Sequence, residues 1–103
     1  MAENQFIEYK ESWREEYLKW IAGFANAQGG TLLIGVNDKG QVVGLDNAKR
    51  LLEDLPNKIQ NALGIIADVN LREQAGQAYI EIVTQPYEMP VAYLSWGVSP
   101  TKR

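Results

Sequence analysis

Two residue types are missing from this 103-residue chain, and each absence closes off chemistry. Without cysteine there can be no disulfide, no thiolate zinc site and no thiol nucleophile. Without histidine the commonest general base and the commonest transition-metal ligand are gone. Any metal must then be held by oxygen, which favours Mg²⁺, Mn²⁺ or Ca²⁺. An excess of positive charge is lacking too: 10 Lys and Arg stand against 13 Asp and Glu, a net charge of −3. The strongly basic footprint usual for nucleic-acid binding is therefore absent from the sum, which leaves only a local patch to supply it. Long apolar runs are also missing. The stretches around Trp20–Ala27 and Leu32–Val36 are far too short to span a bilayer. The acidic opening MAENQFIEYK has neither the basic flank nor the apolar stretch of a secretory signal, so no membrane partner and a cytoplasmic location are expected.

What remains is the composition of an ordinary soluble globule, 46% hydrophobic and 22% charged. The length fits one domain, residues 1–103, able to bury roughly two-thirds of its surface around one core. The tail Ser99-Pro100-Thr101-Lys102-Arg103 carries no cap or closing element, so the domain is expected to be the N-terminal part of a longer chain.

Hydrophobic spacing predicts the elements. Residues Gln5 to Lys10 alternate as a short strand, with Glu8 and Lys10 projecting together. Ser12 and Glu15 form a capping-box pattern ahead of a helix whose large apolar residues recur at Trp13, Tyr17, Trp20, Ile21 and Phe24. That helix should stop at Gln28-Gly29-Gly30. Thr31–Val36 reads as a buried strand, Asn37-Asp38-Lys39-Gly40 as a turn, and Gln41–Leu45 as the returning arm of a hairpin. Asp46 or Asn47 caps a second helix carrying Ala48, Leu51, Leu52 and Leu55. Pro56 should break or kink it, leaving a further segment with Ile59 and Leu63 that runs to Gly64. Alternation through Ala67–Arg72 and Ala78–Val83 gives a second hairpin, and Val91–Trp96 is a candidate last edge strand. The expected fold class is α+β: a mixed β-sheet with two main helices packed on one face, in β-α-β-β-α-β-β order.

Few residues suggest chemistry. The first helix's aromatic residues sit at helical spacing and read as core. The Gly29-Gly30 pair closes a helix and opens a strand, the reverse of a phosphate-binding loop. Asp68 and Glu81 lie at solvent-facing parity. The carboxylates Glu3, Glu8 and Asp38 are the candidate metal-binding and catalytic set, because an oxygen-only cluster is the sole route here to metal-assisted hydrolysis. The plain alternative makes Glu3 a frayed terminus, Glu8 a partner of Lys10 or Arg14, and Asp38 a turn residue. Basic residues are dispersed over several elements, as on a solvated surface.

The segments Glu8-Tyr9-Lys10-Glu11-Ser12, Ala25-Asn26-Ala27-Gln28-Gly29-Gly30-Thr31-Leu32-Leu33-Ile34-Gly35-Val36-Asn37-Asp38 and Gly40 through Gly44-Leu45-Asp46 together carry a resemblance. The chain resembles the Schlafen Alba-like domain family, described as the DNA-binding domain of many bacterial transcriptional regulators, over roughly Glu3 to Tyr93. The resemblance implies a compact α+β fold and a nucleic-acid partner. The leading expectation is then a domain that binds DNA ahead of RNA, with Lys10, Arg14, Lys39 and Lys49 contacting phosphate and no cofactor. Eukaryotic members of similar pattern cleave structured RNA with three acids and a divalent metal. By motif position those acids fall on Glu3, Glu8 and Asp38, which makes an Mg²⁺- or Mn²⁺-dependent endoribonuclease the alternative. One departure is plain: Tyr93-Leu94-Ser95-Trp96-Gly97-Val98-Ser99-Pro100-Thr101 keeps the family's terminal glycine without its arginine. A third expectation is a homodimer formed through an edge strand.

Overall fold

The computed structural model describes residues 6–91. Its elements are β1 (Ile7–Lys10), a 3-10 turn (Glu15–Tyr17), α1 (Leu18–Asn26), β2 (Gly30–Ile34), α2 (Ala48–Leu63), β3 (Asp68–Gln74) and β4 (Gln77–Thr84). The strands form one mixed sheet in the order β1-β2-β4-β3, with β1 parallel to β2 and the other pairs antiparallel. Both helices lie on one face, as the α+β expectation has it.

The core follows from periodicity. Leu51, Leu55, Ile59 and Leu63 form one stripe of α2, all buried. They meet Leu18, Ile21, Phe24 and Ala25 of α1 over Leu32, Ile34, Ile80 and Ile82 of the sheet. In β2 and β4 the alternate residues fall on the open face and are half-buried, among them Leu33, Tyr79 and Val83.

Four local expectations change. Pro56 does not divide α2, which runs unbroken from Ala48 to Leu63 with the proline inside it. A proline in a helix interior costs about 3 kcal/mol. The two buried stripe residues on either side of it contribute on the order of 1.5–3 kcal/mol each, so packing wins. The Ser12–Glu15 capping box is not used: Arg14 stands at the N-cap without a side-chain bond, and α1 opens only at Leu18. Glu15 instead meets Lys58 of α2 at 3.4 Å. The expected strand Gln41–Leu45 shrinks to a single bridge between Val36 and Val42, so the order is β-α-β-α-β-β. Asn37 explains this locally: its Oδ1 accepts the main-chain N–H of Lys39 (2.9 Å) and of Gln41 (3.0 Å), closing the loop on itself. Finally, α1 ends at Asn26 and not at the glycines. Gly29 takes φ +87° and lies so close to β4 that a Cβ there would stand 2.7 Å from the Thr84 carbonyl oxygen. The candidate strand Val91–Trp96 lies, past Val91, outside the described residues.

The β3–β4 hairpin closes more tightly than expected. Gln74 pairs with Gln77 across a two-residue turn, Ala75-Gly76, with φ of +53° and +79°. Positive φ at both positions is the type I′ geometry that matches strand twist.

Candidate functional site

The glycine-led strand β2 lies beside β1, with Glu8 opposite Leu32 and Lys10 opposite Ile34. Paired residues project from the same face, so Glu8 and Lys10 point to the helix side. There Lys10 Nζ stands 3.4 Å from Glu8 Oε2, 4.9 Å from the Tyr17 ring centroid and 5.6 Å from that of Trp20. The aromatic residues of the first helix are thus core-packed, as their spacing indicates, and two of them also cage a cation. Such a pair of cation–π contacts fixes the ammonium.

The chain leaves β1 and β2 at the same end. Main-chain N–H groups of Gly35 and Val36 donate to the Lys10 carbonyl (2.6 and 3.1 Å), tying the two exits together. The Asn37–Gln41 turn follows, and Gly40 packs against the Tyr9 hydroxyl. Asp38 and Lys39 are exposed on this turn. The loop then passes Glu11 and Ser12, which share a shallow hollow with Val43–Asn47, and enters α2. A neighbouring hollow of about 530 Å³ is lined by Asp46, Asn47, Lys49 and Arg50 at the first turn of α2. Asn47 offers no side-chain cap there. Lys39 on the turn and Lys49 at the start of α2 thus share the end of the sheet where β1 and β2 exit, whereas Lys10 is turned to the helix face beneath Tyr17 and Trp20.

The predicted basic residues are not equivalent. Lys10 is half-buried and paired to Glu8, and Arg14 pairs with Glu16 at 3.5 Å. Lys58 and Arg72 are also paired, to Glu15 and Glu81. Lys39 and Lys49 make no ion pair among the described residues, and neither does Arg50 beside Lys49.

Of the three candidate acids, Glu3 lies outside the described residues. Glu8 shares its charge with Lys10, and Asp38 sits on the turn packed against Tyr9, a residue that projects from the opposite face to Glu8. Among the described residues no three acids gather where they could hold a metal ion. A hard divalent cation takes six or more oxygens, waters included, and is anchored by carboxylates. Of such a donor set the described residues include only Glu8, paired to Lys10, and the exposed Asp38.

Two further residues have roles that spacing does not disclose. Asn26, the last residue of α1, clamps the segment beyond β4: its Oδ1 accepts the Val91 N–H and its Nδ2 donates to the Val91 carbonyl, both at 2.7 Å. Glu81, expected to be solvated, is half-buried and accepts from Asn70 Nδ2 (3.2 Å) and from Arg72 Nε and Nη2 (3.1 and 2.9 Å). No described helix is long and apolar enough to cross a membrane.

No protein of curated function matches the sequence. Several solved structures are similar in fold, among them the following two. The DIP2311 protein from Corynebacterium diphtheriae superposes with a TM-score of 0.70 at 21% identity, over 86% of this chain and 19% of that one. The N-terminal domain of an ATP-dependent DNA helicase RecG-related protein from Nitrosomonas europaea superposes with a TM-score of 0.72 at 22% identity, over 95% of this chain and 76% of that one. The chain thus spans about a fifth of the length of the Corynebacterium protein. Residues 3–101 match the Schlafen, AlbA_2 family, and with nearly the whole sequence inside that match, the chain belongs to this family.

Proposed function

We propose that this domain binds nucleic acid, DNA ahead of RNA, as part of a bacterial transcriptional regulator acting in the cytoplasm. The observation that carries the reading is the rim at the exits of β1 and β2, where Lys39 and Lys49 make no ion pair among the described residues. Family membership and the fold shared with the N-terminal domain of a helicase-related protein support it. First contact with phosphate falls to Lys39 and Lys49. Lys10 and Arg14 add to them at the cost of loosening Glu8 and Glu16. Catalysis and a metal have no part in this reading.

The test is the salt dependence of duplex binding by fluorescence anisotropy, with single-stranded RNA as competitor. Each neutralised phosphate contributes a slope of about −0.9 to log K against log salt. Four contacts predict that affinity falls on the order of a hundredfold between about 50 and about 200 mM salt. Lys39→Ala and Lys49→Ala should each flatten the slope by about one. A flat salt profile, or unaltered slopes in both variants, refutes the assignment.

A further inference from the structure

We propose that the free edge of β3 is a docking strand for a second copy of this chain, joined antiparallel about a two-fold axis at Asn70.

The main chain of β3 is set for it. Gln74 and Gln77 flank a two-residue turn, so they form a hydrogen-bonded pair, and such pairs alternate along an antiparallel ladder. Asp68, Asn70, Arg72 and Gln74 therefore direct their N–H and C=O groups to β4. Those of Val69, Leu71 and Glu73 face outward. Among the described residues no strand pairs with that side.

The side chains select both partner and register. With the axis at Asn70, Val69 meets Leu71 of the other copy in a hydrogen-bonded pair, and Leu71 meets Val69. Both project from the helix face, where Leu71 is now 37% exposed and Val69 is packed against the core. On the other face Asp68 meets Arg72 of the second copy, twice over by symmetry. These are non-hydrogen-bonded pairs, whose side chains come closest. Asp68 makes no ion pair among the described residues. Arg72 spends Nε and Nη2 on Glu81, and its Nη1 makes no hydrogen bond among the described residues. Moving the axis to Leu71 would set Arg72 against Asn70 and leave Asp68 facing Gln74. Moving it to Arg72 would oppose two like charges. Only the Asn70 axis satisfies the apolar and the charged residues together.

The experiment exploits a chain that has no cysteine. Asn70→Cys would place two thiols across the axis in a non-hydrogen-bonded pair, with Cα atoms about 4.5 Å apart, within disulfide reach. The full chain carrying Asn70→Cys is expected to cross-link under glutathione disulfide, while Gln77→Cys, on the far side of the hairpin, does not. Sedimentation should show a parent dimer, and Asp68→Arg should weaken it at least tenfold by setting arginine against arginine. Arg72→Glu should do the same, and an equimolar mixture of the two variants should regain a dimer, since every opposed pair is then of opposite charge. If Arg72→Glu fails to fold, the Asn70→Cys and Asp68→Arg results decide. A parent chain that stays monomeric at millimolar concentration overturns the proposal. So does a dimer indifferent to Asp68→Arg, or a Gln77→Cys variant that cross-links as fast as Asn70→Cys.

Discussion

Replacing Asn26 by alanine removes both hydrogen bonds that hold Val91 to the end of α1. Each is a neutral bond contributing about 0.5–1.5 kcal/mol net, so Asn26→Ala should destabilise the domain by about 1–3 kcal/mol. Val91 is itself buried, which places the loss toward the upper end if its segment comes away. Asn26→Asp sharpens the test. It keeps the acceptor for the Val91 N–H but sets a carboxylate oxygen against the Val91 carbonyl. It also places negative charge at a helix C-terminus, which costs about a further 0.3–1 kcal/mol. Both variants should therefore be destabilised to a similar degree. Urea unfolding followed by tryptophan fluorescence reads this directly. With m near 2 kcal/mol/M, a 2 kcal/mol loss lowers the midpoint by about 1 M. An alanine variant within about 0.5 kcal/mol of the parent, at unchanged m, would show that the clamp contributes no net stability.

Three other substitutions follow from the backbone. Pro56→Ala restores an amide donor inside α2 and should raise stability, by up to about 3 kcal/mol in the same urea assay; a loss would mean the proline is required there. Ala75→Asn suits the left-handed conformation of the β3–β4 turn better than alanine and should stabilise by about 0.5–1 kcal/mol, read as a higher melting temperature. Gly30→Ala would drive a Cβ into the Phe24 ring and should cost about 1–3 kcal/mol, and a neutral outcome would mean that ring moves freely.

How much of this was legible depended on where each partner lies in the chain. The stripe Leu51, Leu55, Ile59 and Leu63 is a local repeat, and it specified the buried face of α2 correctly. Pro56 misled because the rule against proline is also local, while the burial that overrides it comes from α1 and the sheet. Val42 and Val43 looked like strand residues, yet Asn37 closes the loop before a ladder can form. In the site, the lysines carry no positional signal of their own, since dispersed basic residues read as a solvated surface. The pairings of Lys10 with Glu8 and of Arg14 with Glu16 are local, each between residues two apart, and the first is among the alternatives the sequence offers. Asn26 gave no signal of its role, since the residue it clamps is 65 positions away.

The lysine rim lies at the strand ends, where Lys49 shares a hollow with Ala78 of β4, whereas the free strand runs along one side of the sheet. Association through β3 leaves β1 uncovered in both copies. A pair so joined is bivalent, and its second grip on one polymer becomes an intramolecular event. Avidity can then exceed single-site affinity by about 10²–10⁴ with no new contact made, provided both sites reach the same molecule. A chain with a net charge of −3 and few uncommitted lysines would in this way hold a polyanion that one copy alone grips weakly.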